Sequence, residues 1–382
     1  MYNIHSHYEN IFAYLKTKLD YPVLLYFFPF GSIDYDNIET MHCNGNGTSP
    51  VVLCFDQEPI TADLEKLLHR LIENWSVHRN IIILNTEPES QIKTAIYDKL
   101  RLQNYKLHDC SYFFHVFAAT DWYRSYYYNL DITKPSARKI SKKFISFNRI
   151  TGNSRAYRGI FVADLIKRDL IHHGHISFST VCPEHGTYAV SAFELIHKHQ
   201  VDPDVVQQSV DMINTLPGDL RIDQINETCI PNGSYMIGCI DQSMESFVQV
   251  VTETCFWESK YHLTEKIFKP IVCQQPFLLL GCPGNLQYLK SYGFQTFDTW
   301  WDESYDNIVD PIQRIHAVNN VLEQICCRSD TELQQMLIEM QPVLEHNYRL
   351  FYSREFVDRA WQEMINQLDH VVDHIKAITY LR

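Results

Sequence analysis

The sequence predicts an α/β protein with two domains that face a central cleft, followed by C-terminal helices. Its 382 residues exceed what one ordinary hydrophobic core contains, and 45% of them are apolar. Short apolar runs alternate with segments of helical period in both halves, a pattern typical of parallel sheets. Ligands of such sheets bind at the carboxyl ends of the strands, so the residues that end each apolar run are the first candidates for a site.

The N-terminal domain is predicted over residues 1–140. The runs YPVLLYFFPF, VVLCFD and NIIILNTEP predict strands, TADLEKLLHRLIENW predicts a helix, and YFFHVFAATDWYRSYY predicts a strand and the start of a helix. Glu58 and Glu87 each stand between the end of an apolar run and a proline. The polar, basic segment DITKPSARKISKK, residues 131–143, is typical of a linker.

The second domain is predicted over residues 141–345, and residues 346–382 are predicted as helices that cross back to the N-terminal domain. The runs KFISFN, HISFSTV, ESFVQVVTET and PFLLLG predict its strands. The segments YRGIFVADLIKRDL, SAFELIHKH, DVVQQSVDMINTL and GNLQYLKSYG predict its helices. An acidic, aromatic segment with Trp300 and Trp301 is predicted as a loop that packs at the domain edge.

Charge and cysteine content narrow the functional classes. The net charge of −13 disfavours long nucleic acid as the main partner, because phosphate binding usually requires a basic protein. The N-terminus lacks the pattern of a secretory signal, and no apolar run has the roughly 18 residues of a membrane span. We therefore expect a cytoplasmic chain with reduced cysteines, and we expect the sequons at Asn46, Asn226 and Asn232 to be chance matches.

The segment YHLTEKIFKPIVCQQPFLLLG places an acid and a base directly before an apolar helix. Pro270 is tolerated only in the first turn of a helix, so the helix should begin between Thr264 and Lys266. A helix N-terminus favours an anion, to which Lys266 adds positive charge. Glu265 could accept hydrogen bonds from a ribose diol. Alternatively, the two charges form a solvated surface pair.

This segment resembles the donor-binding motif of the α-1,3-fucosyltransferase family, whose members and phage or bacterial relatives are glycosyltransferases with the GT-B fold of two Rossmann-like domains. Thr264, Glu265 and Lys266 match the family's Thr-Glu-Lys, and Glu253 with Thr254 match the acid and small polar residue that end the preceding strand. The gap from Glu253 to Glu265 is longer than in the family. The extra residues Phe256–Trp257 account for the difference.

The resemblance extends upstream to FISFNRITGNSRAYRGIFVADL, which looks like the strand, loop and helix that open the donor domain. It implies that Arg158, or else Arg155, binds the donor diphosphate, since a guanidinium binds phosphate oxygens bidentately. Asn148 and Arg149 end the strand, where a ligand would lie. Alternatively, the three arginines form an exposed basic turn.

The resemblance implies an enzyme that moves a sugar from a nucleoside diphosphate sugar, GDP-fucose-like, to a hydroxyl acceptor such as a glycan. Transfer would invert the anomeric centre and need no metal and no cofactor, because Lys266 and Arg158 would neutralise the diphosphate. The acceptor hydroxyl needs a base. Glu58 is the first candidate, followed by Asp56 and Glu87.

Three other functions fit parts of the sequence. A phage-type enzyme could glycosylate modified bases of DNA, with KISKK and the arginines along a groove. The same fold could also serve as a non-catalytic nucleotide- or glycan-binding module. Zinc could bind within HHGHISFSTVCPEH, although the spacing matches no standard finger.

The motifs Asp34–Asp36 and Asp202–Asp204 match the metal-binding acids of another glycosyltransferase fold. No phosphate-binding or dinucleotide-binding glycine motif is present.

Overall fold

A computed structural model describes residues 3–27, 38–43, 50–61, 63–75, 80–125, 134–182, 185–220, 222 and 237–380. The described chain forms two compact units. Unit 1 contains Met1–Asp121, Lys260–His262 and Ser353–Arg382, and unit 2 contains Trp122–Ser259 and Leu263–Tyr352. The chain therefore passes between units after Asp121, Ser259, His262 and Tyr352, whereas the sequence analysis places boundaries after residues 140 and 345.

The described strands are β1 (Val23–Phe27), β2 (Ile38–His42), β3 (Val51–Phe55), β4 (Asn80–Asn85), β5 (Lys106–Ser111), β6 (Lys142–Asn148), β7 (Gly174–Phe178), β8 (Val181–Cys182), β9 (Gly186–Thr187), β10 (Ser246–Thr252) and β11 (Phe277–Leu280). The described helices are α1 (His7–Lys18), α2 (Asp63–Trp75), α3 (Gln91–Leu102), α4 (Phe114–Trp122), α5 (Tyr157–Lys167), α6 (Tyr188–His199), α7 (Pro203–Ile213), α8 (Ile240–Glu245), α9 (Phe268–Val272), α10 (Asn285–Ser291), α11 (Pro311–Cys326), α12 (Asp330–Phe351) and α13 (Arg354–Tyr380).

Unit 1 is built on a five-stranded sheet with the order β2-β1-β3-β4-β5. Four strands are parallel, and the edge strand β2 pairs antiparallel with β1. Every residue of β3 is buried, as expected for a central parallel strand covered on both faces. Apolar side chains of β1, β3 and β4 pack with those of α2 and α3 into one core.

The C-terminal helix α13 belongs to unit 1 and packs against β5. Gln367 accepts a hydrogen bond from the Ser111 N–H at 2.9 Å, and the Met364 carbonyl lies 3.7 Å from the Cys110 thiol. Tyr14 of α1 donates to Asp369 at 2.7 Å. The last helix therefore covers the outer strand of a sheet formed by residues from the first third of the chain.

Unit 2 contains a parallel four-stranded sheet with the order β11-β10-β6-β7. The described part of the predicted linker packs into this unit, since Arg138 donates to the carbonyls of Cys273 and Gln274 at 2.6 and 2.9 Å. The predicted α/β class is confirmed in both units, and their predicted arrangement about a cleft stays a prediction. None of the described helices combines the length and the apolar character that a membrane crossing requires.

Candidate functional site

The carboxyl edge of the unit 2 sheet collects polar residues at the ends of neighbouring strands. Asn148 ends β6 and is fully buried, where its Nδ2 donates to Ser146 Oγ at 2.9 Å. Its Oδ1 accepts from the Thr252 hydroxyl at the end of β10, at 3.0 Å. Asn148 therefore ties two strand ends together, and the residues that follow β10, Glu253 and Thr254, leave the sheet from a fixed position.

The charge pair of the sequence motif lies at the start of a helix, as predicted. Thr264 has extended backbone angles and caps a 3₁₀ turn, Glu265–Ile267, with its hydroxyl accepting from the Lys266 N–H at 3.4 Å. The turn continues directly into α9. Pro270 lies in the first turn of α9, where the missing N–H costs nothing.

Glu265 and Lys266 are not a solvated surface pair. Glu265 is only 5% exposed, and its Oε1 accepts from Lys266 Nζ at 2.9 Å. The Lys266 side chain keeps 31% exposure, and its ammonium also donates to Thr264 Oγ1 at 3.2 Å and Thr254 Oγ1 at 3.3 Å. A partly exposed cation is thus held in one orientation by a buried carboxylate and two hydroxyls.

Glu253 is fully buried beneath this cation. Its carboxylate accepts from the Thr264 hydroxyl at 2.6 Å, from the Thr264 N–H at 3.2 Å and from the Thr254 N–H at 3.3 Å. Burial raises the pKa of Glu253, and the nearby Lys266 ammonium opposes that rise. The resemblance placed Glu253 near the sugar or nucleotide. Its contacts make it a support for the turn that carries Lys266, and its contact with the sugar or nucleotide stays a prediction.

Arg158 is buried, and its guanidinium contacts main-chain carbonyls. Nη1 donates to the Ile150 carbonyl at 2.9 Å, and Nη2 donates to the carbonyls of Thr252 and Glu253 at 2.9 and 3.3 Å. Burial lowers the pKa of Arg158. These contacts brace the end of β10, so direct binding of phosphate by Arg158 stays a prediction that would require this bracing to change.

The other two arginines of the predicted basic turn differ from Arg158 in exposure. Arg149 is exposed and Arg155 is half-buried. The alternative of a wholly exposed basic turn therefore does not describe the three arginines, because the innermost one is part of the fold.

The two residues that lengthen the motif are anchored in unit 2. Phe256 stacks on Tyr157 with ring centroids 4.0 Å apart, and Arg314 lies over the Phe256 ring at 4.4 Å. Arg314 also donates to the Phe256 carbonyl at 2.6 Å, and Trp257 donates from Nε1 to the Ser154 carbonyl at 2.8 Å. The insertion therefore fixes the connection between the two halves of the motif.

A second helix start on the same edge is already occupied by a side chain. The Asp306 carboxylate accepts from the N–H groups of Leu286 and Gln287 in the first turn of α10. An anionic ligand would compete with this carboxylate there, whereas the turn of Lys266 presents a cation. Trp301 packs on Phe297 with centroids 5.2 Å apart, in agreement with a structural role for the aromatic loop.

In unit 1, the two predicted catalytic acids after β3 differ in environment. Glu58 is half-buried and directly precedes Pro59. Asp56 is 1% exposed, and its two oxygens accept from the hydroxyls of Tyr8, at 2.8 Å, and Tyr112. Both Asp56 oxygens already accept from tyrosine hydroxyls, so Glu58 remains the first predicted base and Asp56 the second.

Glu87, the third candidate, is fully buried at the end of β4. Its Oε1 accepts from Lys260 Nζ at 2.8 Å and from the Ile60 N–H at 3.0 Å. A carboxylate held in a buried ion pair is a poor base for a substrate, so the geometry assigns Glu87 to the stability of unit 1.

The environment of Asp56 predicts a pH-dependent stability. Burial raises its pKa from 3.8 to about 7, so between these pH values the folded protein holds a proton that the unfolded chain has lost. Stability should therefore fall as the pH rises through this window, by at most about 4 kcal/mol. Asp56→Asn removes this loss, and we expect it to unfold at higher urea concentration than the wild type at pH 8.

Urea titrations of both chains at several pH values check this expectation. His7, whose Nε2 lies 2.9 Å from the Tyr112 hydroxyl, has a pKa lowered to about 3 by burial, so both chains lose stability in acid. Only the difference between the chains reports on Asp56, and it should shrink towards pH 4. A difference that is constant with pH would contradict the assignment.

The residues on which the remaining metal and nucleic-acid interpretations depend either make other contacts or lie outside the described residues. His175 is one of the candidate zinc ligands, and its Nε2 lies 2.7 Å from Glu245 Oε1. Asp202 caps α7 by accepting from the Asp204 N–H at 2.9 Å. Asp34–Asp36 and the three sequons lie outside the described residues.

Two lysines of the basic KISKK segment bind elsewhere in unit 2. Lys142 donates to the His172 carbonyl at 3.0 Å, and Lys143 pairs with Asp330 at 2.5 Å. A DNA-binding groove would require these two cations for contacts with phosphate groups.

Several important residues escape sequence reasoning. Tyr8 and Tyr112 meet at Asp56, and Lys260 meets Glu87 across 173 positions. No local motif marks these residues. Lys260 lies one position before the YHLTEK segment, but nothing in the sequence indicates that its partner is Glu87.

The similarity of this chain to known proteins is found among solved structures. No protein-family model matches the chain, and no curated protein matches it either. Among solved structures, it is similar to an α,α-trehalose-phosphate synthase (UDP-forming) from Burkholderia vietnamiensis, with 12% identity, covering 87% of this chain and 68% of that chain, at a TM-score of 0.39. It is also similar to a UDP-forming α,α-trehalose-phosphate synthase from Burkholderia xenovorans, with 10% identity, 84% and 74% coverage, and a TM-score of 0.34. Both TM-scores lie below 0.5, so any functional conclusion rests on the geometry of the site itself.

Proposed function

We propose that unit 2 binds the diphosphate of a nucleoside diphosphate sugar, and that the protein transfers the sugar to a hydroxyl acceptor. One observation carries the proposal: Lys266 presents a partly exposed ammonium at a helix start, beside the carboxyl end of a parallel sheet. A cation at such a position suits phosphate oxygens. The match of Thr264, Glu265 and Lys266 to the fucosyltransferase motif supports the same ligand.

Lys266 stabilises the departing diphosphate in this proposal. Negative charge grows on the leaving group during sugar transfer, and a cation held in place by the protein stabilises that charge without reorganising. Glu265 orients the ammonium through the 2.9 Å contact, and the ribose contact implied by the resemblance would add to this role. Arg149 and Arg155 are further cations in the segment that follows β6. We propose that these charges replace a metal ion.

The donor and the stereochemistry follow from the family resemblance. We propose a GDP-fucose-like donor and inversion at the anomeric carbon, in which the acceptor oxygen attacks from the face opposite the diphosphate. Glu58 takes the proton of the acceptor hydroxyl, that of a glycan or of another hydroxyl compound. The modified-base acceptor of a phage-type enzyme remains an outcome of the acceptor assay.

The diphosphate site predicts a ligand-dependent rise in melting temperature. GDP, UDP, ADP, CDP and TDP are each added to the wild type and to Lys266→Ala, with and without EDTA. One diphosphate at 100 times its Kd should raise the melting temperature of the wild type by about 5–10 °C. EDTA should leave the shift unchanged. Lys266→Ala should weaken binding roughly 10- to 100-fold, because a charge-assisted hydrogen bond is lost.

Lys290→Ala is the matched control. The Lys290 side chain is 32% exposed, close to the 31% of Lys266, and pairs with Asp298 at 3.0 Å and Glu303 at 3.3 Å. It should lose some stability and keep the full ligand shift. If none of the five diphosphates shifts the wild type at millimolar concentration, the donor-site proposal is wrong. If the shift requires the metal that EDTA removes, only the metal-independent part is wrong.

A further inference from the structure

The Lys266 ammonium has three N–H groups, and all three have acceptors in the structure. One acceptor is the Glu265 carboxylate at 2.9 Å, and the other two are the hydroxyls of Thr264 at 3.2 Å and Thr254 at 3.3 Å. A phosphate oxygen must therefore replace one of these acceptors to reach Lys266. The Thr254 hydroxyl is the most distant and carries no charge, so it is the acceptor that an anion replaces most readily.

The two threonine hydroxyls differ in whether their protons are donated in hydrogen bonds. Thr264 Oγ1 donates to the Glu253 carboxylate at 2.6 Å, so its proton is already bound. Thr254 Oγ1 accepts from Lys266, and among the described residues its own proton has no acceptor. Thr254 is nevertheless only 8% exposed. A buried hydroxyl with an unused donor is unfavourable unless a ligand supplies the acceptor.

We propose that Thr254 is a ligand-binding residue whose hydroxyl donates to a phosphate oxygen of the nucleoside diphosphate. When that oxygen arrives, Lys266 exchanges the neutral Thr254 oxygen for the anion, and Thr254 turns from acceptor to donor. One phosphate oxygen thus receives two hydrogen bonds from adjacent groups. This inference rests on the proposed function and names a contact within the same site.

Glu253 and Thr264 are positioning residues under this assignment. The Glu253 carboxylate fixes both the N–H and the hydroxyl of Thr264, and Thr264 in turn accepts from the main-chain N–H and the ammonium of Lys266. Their substitution should therefore change the folded state before any ligand is added. Substitution of Thr254 should change ligand binding while leaving the stability of the folded state close to that of the wild type.

Valine and serine at position 254 separate the hydroxyl from the shape of the side chain. Thr254→Val keeps the branched shape and removes the donor, whereas Thr254→Ser keeps the donor. By isothermal titration calorimetry with the diphosphate that stabilises the wild type among GDP, UDP, ADP, CDP and TDP, Thr254→Val should raise Kd about 10- to 100-fold. Thr254→Ser should stay within about threefold of the wild type.

Thr264→Val is the contrasting variant. It removes the shortest hydrogen bond to the buried Glu253, so the melting temperature of its ligand-free form should fall by several degrees. The ligand-free melting temperature of Thr254→Val should stay close to the wild-type value, because water can replace the Thr254 hydroxyl at the partly exposed Lys266 ammonium. If Thr254→Val does not fold, the ratio of Kd between Thr254→Ala and Thr254→Ser decides, and it should again be about 10 or more.

Two results overturn the inference in distinguishable ways. If the wild type binds a diphosphate and Thr254→Val binds it within twofold of the wild-type Kd, Thr254 is not a ligand contact and the proposed function stands. If the wild type binds none of the five diphosphates, the proposed function fails, and this inference fails with it.

Discussion

Glu58→Gln should lower the rate of sugar transfer by about 100- to 10,000-fold while leaving diphosphate binding intact. Gln has nearly the same shape as Glu and cannot take the proton of an acceptor hydroxyl. Glu58 follows the buried strand β3 and is half-buried, and the proline after it restricts its backbone to an extended conformation. The diphosphate contacts that we propose lie in unit 2, so they should survive the substitution.

The measurement is the release of GDP from GDP-fucose, or of whichever diphosphate stabilises the chain from its sugar conjugates, with a panel of free sugars, glycans and DNA as acceptors. Asp56→Asn is the matched control, because it neutralises an acid two residues away. Asp56→Asn should keep its rate at pH 7, since its carboxylate contacts Tyr8 and Tyr112 rather than an acceptor.

Other outcomes of this assay select among the remaining interpretations. Equal rates for Glu58→Gln and the wild type would exclude Glu58 as the base, and a loss confined to Asp56→Asn would restore Asp56 to that role. Binding of a diphosphate without turnover on any acceptor would favour a non-catalytic nucleotide-binding module. Transfer to DNA alone, with a rate that falls steeply with salt, would favour the modified-base enzyme.

Strands that are buried along their whole length could be predicted from the sequence, and the two polar edge strands of unit 1 could not. Val51–Phe55, Ser246–Thr252 and Phe277–Leu280 are buried along their whole length and read as apolar runs. Ile38–His42 and Lys106–Ser111 lie at the edges of the unit 1 sheet, have one neighbour each and carry polar residues. Their sequences IETMH and KLHDCS gave no apolar signal.

An apolar run by itself does not distinguish a strand from a buried helix. YFFHVFAATDWYRSYY was predicted to contain a strand, but Phe114–Trp122 is a helix whose first eight residues are all buried. Because eight of its nine residues are buried, this helix lacks the division into apolar and polar faces that identified the amphipathic helices. HISFSTV also forms two strands rather than one, Gly174–Phe178 and Val181–Cys182.

The start of the motif helix could be predicted because its causes are local. Pro270 and Thr264 lie within a few residues of the helix start, so their backbone restrictions apply whatever the fold. The burial of Arg158 could not be predicted, because it depends on how β10 and α5 pack. The sequence shows a guanidinium beside a glycine-containing turn, and only the fold shows that carbonyls of Ile150 and Thr252 bind it.

Lys260→Met should destabilise unit 1 by about 3–5 kcal/mol, because it leaves the Glu87 carboxylate buried without its cation. The Lys260 side chain is 2% exposed and that of Glu87 is 0% exposed, with 2.8 Å between Nζ and Oε1. Among the described residues, Glu87 Oε2 has no hydrogen-bond partner, so the ion pair carries most of the compensation for the buried charge. Met matches the length and apolar stem of Lys, which isolates the effect of the charge.

Hydrogen exchange in the strands Val51–Phe55 and Asn80–Asn85 reports the stability of unit 1 directly. The slowest amides of these strands should exchange about 100-fold faster or more in Lys260→Met than in the wild type. Lys198→Met is the matched control, because Lys198 pairs with Glu194 at 2.7 Å with both side chains about half exposed. That pair should contribute less than about 1 kcal/mol, and exchange in the two strands should not change.

The double variant Lys260→Met, Glu87→Gln tests the cause of the loss. It removes the uncompensated charge while Gln can still accept from the Ile60 N–H, so it should recover much of the stability that Lys260→Met loses. If the double variant is as unstable as Lys260→Met, the loss comes from packing around the lysine stem. If Lys260→Met is as stable as the wild type, the ion pair does not stabilise the end of β4.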